Sequence, residues 1–206
     1  MMLWFGLALF AAGMPLMLVD RQAARYFRRV VQPPLLPLLV ATTDWAKGIV
    51  WIIGIALLYG GTYLATRISG PSAEIAWAHD IALALLAAFA VGSVILHTTK
   101  LFLGRRRPRD DFEHGLYGFV FFTWSLQHNS FPSGHALTIV TLASWATALW
   151  PELAVIWFGL ALYLSLSRAL LAVHFLSDVA IGAAIGMITT REVLVLLFPQ
   201  LAPNWF

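Results

Sequence analysis

The chain has 206 residues, of which 60% are hydrophobic and only 11% are charged. A soluble domain carries about a quarter of its residues as charged side chains, so this composition excludes a soluble enzyme, a disordered regulator and a coiled coil. The chain has no cysteine, which excludes a disulfide framework, a thiolate nucleophile and a cysteine-built zinc site. We therefore predict a single integral membrane domain over residues 1–206.

Most of the charged side chains lie in three clusters, at residues 20–47, 67–80 and 100–113. Long apolar stretches separate the clusters, and a helix needs about 20 apolar residues to cross about 30 Å of hydrocarbon. Lipid does not tolerate unpaired backbone groups, and a barrel would show alternating strands, so the spans are predicted as helices. We predict an all-α fold with six transmembrane helices in one bundle, at about 2–19, 48–66, 80–102, 133–150, 153–173 and 176–198.

The first apolar run, residues 2–19, lacks a preceding basic segment and is longer than the core of a signal peptide, which favours a retained span. Residues 20–32 follow and carry four arginines on one helical face, namely Arg21, Arg25, Arg28 and Arg29. This pattern is typical of a basic amphipathic helix at the membrane surface, and a solvated connector is the alternative. Pro33, Pro34 and Pro37 are expected to break the helix after it.

Ionisable residues interrupt or flank the later apolar runs at Arg168, His174 and Asp178. Hydrocarbon excludes such groups, so they are functional candidates. If one helical turn links His174 to Asp178, the carboxylate can accept a hydrogen bond from one imidazole nitrogen and leave the other free as a nucleophile or base. The structural alternative is an Arg–Asp pair that neutralises itself near the interface.

Lys100 ends the third apolar run and is followed by Arg105, Arg106, Arg107 and Arg109. A guanidinium can bind two phosphate oxygens at once, so the cluster is a candidate phosphate site. The alternative is a topogenic or headgroup-binding patch.

The fourth predicted helix opens with Pro132, Ser133, Gly134 and His135. Free N–H groups, a hydroxyl and a close glycine backbone at a helix start form an anion site, and the histidine is poised to give or take a proton. An N-cap serine explains Pro132 and Ser133 but not the histidine beside them.

In this order, the three groups resemble the phosphatidic acid phosphatase type 2 superfamily of membrane lipid phosphatases. The family pattern is a lysine, six residues and Arg-Pro, then Pro-Ser-Gly-His, then Ser-Arg, five residues, a histidine, three residues and an aspartate. The matching positions here are Lys100, Arg107, Pro108, 132–135, Ser167, Arg168, His174 and Asp178. The motifs cover residues 100–178, and the rest of the chain matches only by the number of spans.

The resemblance implies that His174 attacks phosphorus to form a phosphohistidine, that Asp178 orients it, and that His135 protonates the leaving oxygen. It also implies that the phosphoryl oxygens are held by Lys100, Arg107, Ser133, the Gly134 amide and Arg168. Fixed cations replace a metal ion in such a site, so no metal or other cofactor is expected.

The remaining polar residues of this region have less definite interpretations. Arg105, Arg106 and Arg109 bind a second phosphate or acidic headgroup, or they pair with the acidic residues Asp110, Asp111 and Glu113. Residues 114–131 are uncharged and aromatic, which is typical of an interfacial lid over a lipid tail. His114 and His128 match no family motif and are interpreted as structural or headgroup contacts.

The function predicted is hydrolysis of a lipid phosphomonoester or diphosphate, with phosphatidylglycerophosphate, undecaprenyl diphosphate, phosphatidic acid and lipid A phosphate as candidate substrates. A lipid phosphotransferase, a small anion or lipid transporter, an inactive lipid-binding scaffold and a haloperoxidase-like relative are the alternatives. The expected partners are the substrate and the bilayer, with no nucleic acid and no obligate protein partner. The resemblance implies a multi-pass bacterial cell (inner) membrane protein with an extracytoplasmic site, although the positive-inside rule favours the opposite orientation.

Overall fold

The computed structural model describes residues 1–123, 125, 128–204 and 206. The chain is mostly helical over these residues, with a small two-stranded sheet near the middle. In chain order the elements are α1 (Met2–Leu16), α2 (Asp20–Val30), α3 (Leu35–Thr43), α4 (Gly48–Ser69), α5 (Ala73–Phe102), β1 (Leu103–Arg105), α6 (Pro108–His114), β2 (Phe119–Phe121), α7 (Gly134–Leu149), α8 (Ala154–Leu170) and α9 (Leu176–Leu197).

Each of the six apolar stretches predicted to be helical forms a helix, as α1, α4, α5, α7, α8 and α9. Within the described residues, four helical segments are long and apolar enough to cross a membrane: Leu35–Ser69, Ala73–Phe102, Pro151–Leu170 and Leu176–Leu197. A fifth results if α1 and α2, which are bent by 87° to each other, count as one span. The α7 helix has 16 residues and falls short of the length that a straight crossing needs. A helical, multi-pass membrane fold is thus confirmed, and the count of six crossings stays a prediction.

The segment around the three prolines differs from the prediction. The α2 helix ends at Val30 as expected, but a new helix, α3, begins at Leu35 and contains Pro37 in its first turn. Proline is tolerated there because the first N–H groups of a helix have no acceptor within it. Pro37 therefore does not break the helix, and the apolar segment extends from Leu35 through α4.

The α9 helix lies at the centre of the bundle and packs against α1, α5, α7 and α8. Small residues allow this, because they let neighbouring helix backbones approach closely. Gly182 shows the constraint most clearly, since a Cβ atom at this position would collide with the backbone carbonyl of Ser133. This close approach brings the start of α7 against the first turns of α9.

The predicted motifs all come to the same end of the bundle. Lys100 lies near the end of α5 and Arg168 near the end of α8, whereas Ser133 and Asp178 lie at the starts of α7 and α9. Because these helices alternate in direction, their motif-bearing ends meet. The bend between α1 and α2 lies at this end too, with Asp20 as the first residue of α2.

A small cap covers this end of the bundle. The β1 and β2 strands pair antiparallel with Gly104 opposite Val120, and α6 follows β1. Arg107 immediately precedes α6, and its backbone N–H donates to the Asp110 carboxylate at 3.2 Å. The cap therefore fixes the Arg107 backbone above the helix ends.

Candidate active site

Backbone hydrogen bonds join the three sequence motifs. The Ser133 N–H donates to the Asp178 carbonyl at 2.9 Å, which links the second motif to the third. The His174 N–H donates to the Arg168 carbonyl at 3.1 Å, in the turn between α8 and α9. The Ser130 N–H donates to the Arg105 carbonyl at 3.1 Å, which links the cap to the segment before α7. The side chains therefore sit on a connected frame.

His174 is buried and precedes α9, which begins at Leu176. Its Nδ1 lies 2.8 Å from the Ser130 carbonyl oxygen and 3.8 Å from the nearest Asp178 oxygen. The latter distance is too long for a hydrogen bond, so the predicted bond from the imidazole to Asp178 is not formed. Because a carbonyl oxygen only accepts, Nδ1 carries the proton and Nε2 carries the free lone pair.

The burial of His174 has an electrostatic consequence. Burial lowers the pKa of the imidazole below its ordinary value of 6.5, outweighing the opposing effect of Asp178. The neutral ring is the form that can act as a nucleophile. It is therefore favoured at neutral pH in the folded protein.

We expect this pKa shift to be visible in a titration. In ¹⁵N-histidine NMR spectra of detergent-solubilised protein, the His174 signal should stay that of a neutral ring as the pH falls through 6.5 and should change only at lower pH. The contribution of His174 to the free energy of unfolding is accordingly present above the unfolded-state pKa and lost as pH falls through the folded-state pKa. The signal absent from His174→Gln protein gives the assignment. A His174 midpoint at or above 6.5 would contradict the expected shift.

Asp178 is completely buried but has several donors. One carboxylate oxygen accepts from Arg105 Nη1 at 2.6 Å, and the other accepts from Ser130 Oγ at 2.6 Å and from the Phe175 N–H at 2.9 Å. Such bonds stabilise the charged form of a buried carboxylate. Ser130 therefore contacts both members of the predicted pair, through its hydroxyl to Asp178 and its carbonyl to His174.

Arg105 is the centre of a buried charge network that the sequence did not reveal. Its side chain is 1% exposed and bridges Asp178 to Asp20, which accepts from Arg105 Nη2 at 2.9 Å. Asp20 also accepts from both the backbone N–H and the hydroxyl of Ser177. The predicted roles of Arg105, a second phosphate contact or a partner of the nearby acidic residues, are wrong. Its guanidinium instead binds two carboxylates that are far from it in the sequence.

Two of the predicted phosphate-binding cations share one neutral partner. Lys100 Nζ donates to the Asn129 carbonyl, and Arg107 Nη2 donates to the Asn129 side-chain oxygen at 2.7 Å. Arg168 Nη1 instead donates to Thr43 Oγ1 at 2.9 Å. In the part of the chain that the structure describes, none of these three cations has a carboxylate within 4 Å, and the buried Nε atoms of Arg107 and Arg168 have no acceptor. Cations with unpaired N–H donors are suited to bind an anion.

The second motif also takes part in the site. Ser133 is buried and caps α7, since its hydroxyl accepts from the Ala136 N–H at 3.4 Å. Gly134 is the first residue of α7, and the N–H groups of this first turn have no acceptor within the helix. His135 is half-buried and interacts electrostatically with Arg168 and His174. The structure thus brings the predicted site residues together. It also adds four residues that the sequence did not predict, namely Asp20, Thr43, Asn129 and Ser130.

The acidic residues after Arg107 do not pair with the arginines beside them. Asp111 is buried, accepts a hydrogen bond from Arg21 at 2.6 Å and forms an ion pair with Arg25 at 3.3 Å, both residues being on α2. The Arg21 hydrogen bond is the main reason that the pKa of Asp111 is lowered. The predicted pairing of Asp111 with Arg105, Arg106 or Arg109 is therefore wrong. The basic face of α2 is bound partly to α6, which neither interpretation of that segment anticipated.

Part of the predicted lid at 114–131 forms β2, and positions 124, 126 and 127 lie outside the described residues. His114 is exposed and lies 3.9 Å from Glu113, and the ring nitrogens of His128 have no partner in the described chain. No group of three or more His, Cys, Asp or Glu side chains arranged to hold a metal ion occurs among the described residues.

Comparison with known proteins identifies the class. The family model of the PAP2 superfamily matches residues 80–201, more than half of the chain, so the protein belongs to this superfamily. The resemblance seen in the three motifs is thereby confirmed.

Two relatives share part of the sequence. Lipid A 1-phosphatase of Rhizobium etli is 26% identical over 140 residues, which are 66% of this chain and 60% of the relative. Lipid A 1-phosphatase of Rhizobium johnstonii is 30% identical over 93 residues, 45% of this chain and 38% of the relative. The matched region thus spans less than two thirds of each relative.

Two crystal structures share the fold. Aquifex aeolicus LpxE matches with a TM-score of 0.59 at 20% identity, over 86% of this chain and 95% of that one. A transmembrane PAP2 type phosphatidylglycerolphosphate phosphatase from Bacillus subtilis matches with a TM-score of 0.62 at 19% identity, over 100% and 97%. These likenesses support the multi-pass PAP2 fold.

Proposed function

We propose that the protein is a membrane-embedded phosphatase that removes a phosphate from a lipid through a phosphohistidine intermediate. One observation carries the proposal: the buried His174 presents a free Nε2 at the same end of the bundle as three cations that have no carboxylate partner among the described residues. A nucleophile among fixed cations is what phosphoryl transfer requires, because charge develops on the phosphoryl oxygens.

In the proposed first step, Nε2 of His174 attacks phosphorus, a P–N bond forms and the P–O bond to the lipid breaks. His135 donates its proton to the departing oxygen. In the second step, water gives a proton back to His135 and attacks phosphorus, the P–N bond breaks and inorganic phosphate leaves. Throughout both steps, the phosphoryl oxygens are held by Lys100, Arg107, Arg168, Ser133 and the Gly134 amide.

Asp178 stabilises the imidazole through its charge at 3.8 Å, and the Ser130 carbonyl sets the tautomer. As positive charge develops on the ring during attack, the nearby carboxylate becomes more favourable. We thus propose that the orienting role expected of Asp178 is divided between two groups, since Ser130 orients the ring and Asp178 supplies the charge.

The relatives named lipid A 1-phosphatase make the 1-phosphate of lipid A the first substrate to test. The chemistry of the site equally accepts phosphatidylglycerophosphate, undecaprenyl diphosphate or phosphatidic acid. We place the site on the extracytoplasmic face of a bacterial inner membrane, as the family resemblance implies.

The direct test is phosphate release from this panel by detergent-purified protein in the presence of EDTA, with His174→Ala protein as the blank. Release that survives EDTA and disappears in the variant would support a metal-independent phosphatase. Radiolabelled phosphate that appears in a second lipid would indicate a phosphotransferase with the same site. The absence of both products would contradict the proposal.

We expect the effect of His135→Ala to depend on the leaving group. With a lipid phosphate, kcat should fall by about 10²- to 10³-fold, because the alkoxide leaves poorly without a proton. With p-nitrophenyl phosphate, whose leaving group needs no proton, the loss should be less than about ten-fold. His114→Ala, which removes an exposed histidine of the cap, is the matched control. Equal losses on both substrates would mean that His135 positions the phosphate and does not donate the proton.

A further inference from the structure

The basic face of α2 reaches the neighbourhood of the active site. Arg21 and Arg25 bind Asp111 on α6 and so attach α2 to the cap. Arg28 lies about one turn further along this face and places its guanidinium 4.7 Å from the centre of the Phe112 ring. Two anchored arginines therefore direct a third toward α6.

Arg28 lines a cavity of about 340 Å³ together with Arg107 and Arg109. Phe112 and residues 171–173, which immediately precede His174, form much of the remaining wall. Because Arg107 belongs to the proposed phosphoryl site, the cavity adjoins the place of the reaction.

Among the described residues, positive charge is in excess around this cavity. Over the described part of the chain, neither Arg28 nor Arg109 forms an ion pair or a side-chain hydrogen bond. The cavity holds one carboxylate, Glu113, which lies 3.9 Å from His114, so its arginines exceed its acidic groups by two (three minus one). Burial and, next, the charge of Arg109 lower the pKa of Arg107, which shows that the cations interact. A bound anion would relieve this repulsion.

We propose that Arg28 and Arg109 form a second anion site, which binds a phosphate-type group in the cavity that these residues share with Arg107. The chemistry fits the second phosphate of a lipid diphosphate, a nearby phosphodiester in the same headgroup, or the headgroup of a neighbouring anionic lipid. Arginine suits this role because its guanidinium is weakly hydrated and binds phosphate oxygens in pairs. The site gives the proposed phosphatase a preference for headgroups with two anions, and this part of the inference rests on the proposed function.

The test measures binding, so that it does not depend on turnover. Farnesyl diphosphate and farnesyl monophosphate are titrated into His174→Ala protein in phosphatidylcholine nanodiscs. The preference is the ratio of the two dissociation constants. We expect Arg28→Gln and Arg109→Gln, each added to this background, to reduce the preference for the diphosphate about ten-fold, as loss of a charge-assisted bond to phosphate predicts. Arg29→Gln is the matched control, since it removes the same charge from the same helix but does not line this cavity.

A second set of nanodiscs, with phosphatidylglycerol replacing part of the phosphatidylcholine, distinguishes the two sources of the anion. A loss of preference in neutral nanodiscs assigns the site to the substrate's own second anion. Variants that alter monophosphate binding only when phosphatidylglycerol is present, and more than Arg29→Gln does, assign it to a neighbouring headgroup. Variants that match Arg29→Gln in both membranes would overturn the second site.

Turnover by the unmodified chain distinguishes failure of the second anion site from failure of the proposed phosphatase function. Normal phosphate release, together with variants that match Arg29→Gln in both membranes, would overturn the second anion site alone. A changed binding ratio with no phosphate release from any lipid would overturn the phosphatase and retain the anion site.

Discussion

His174→Ala should lower phosphate release by at least about 10⁴-fold, because removing the nucleophile of a covalent mechanism eliminates the path itself. The other imidazole assigned to the site is that of His135, which lies on α7, interacts electrostatically with His174 and is assigned the proton transfers. The small volume lost on substitution lies outside the helices, so the fold should persist. Initial rates with a ³²P-labelled lipid phosphate measure the effect.

Trapping the intermediate gives an independent readout. Acid quenching of the unmodified protein during turnover should leave an acid-labile, alkali-stable ³²P label on the chain, and His174→Ala protein should carry none. His114→Ala is again the control for loss of a histidine from this end of the molecule. Retention of more than about one hundredth of the rate, or a label that persists in the variant, would assign the nucleophile to another group.

Arg105→Met should destabilise the protein by about 3–5 kcal/mol, the range seen when one partner of a buried ion pair is removed. The guanidinium is 1% exposed and holds two carboxylates that are themselves fully buried. Methionine replaces the volume but leaves Asp20 and Asp178 without their shared cation. The free energy of unfolding in mixed micelles is the measurement, with Arg106→Met as the control for loss of a neighbouring arginine.

A double variant separates the charge effect from packing. Asp20→Asn combined with Arg105→Met removes one of the two uncompensated carboxylates, so it should be more stable than Arg105→Met alone. Arg105→Lys should restore little, because an ammonium cannot bridge two carboxylates as a planar guanidinium does. Purely additive losses in the double variant would mean that the charges of Arg105 and Asp20 are not coupled.

The residues foreseen from sequence are those whose neighbours along the chain make them conspicuous. His135 and His174 were foreseen because a histidine at a helix start or beside a long apolar run has no ordinary reason to be there. The helix positions were foreseen because the length and continuity of apolar runs reflect the thickness of a bilayer. Both signals depend only on residues that are close together in the sequence, so they can be recognised without the folded structure.

The residues missed are those whose role depends on distant parts of the chain. Asp20 and Arg105 are 85 positions apart, and each lies in a run of charges that suggests a solvated surface. Asn129, Ser130 and Thr43 are neutral and carry no charge signal, yet they contact the cations, His174 and Asp178. The four-residue spacing of His174 and Asp178 placed them near each other, but the helix begins after His174, so the bonding differs from that of a helical turn.

The contact between Asp20 and Ser177 also constrains how the protein is made. These residues are 157 positions apart, so the carboxylate at the start of α2 leaves the ribosome long before the Ser177 N–H group that will bind it. Because an unpaired carboxylate is costly in hydrocarbon, we expect Asp20 to stay hydrated until α9 is in place. The active site is therefore completed last. A truncated protein that begins at residue 80, where the family match starts, would lack Asp20 and leave Arg105 with only one of its two carboxylate partners.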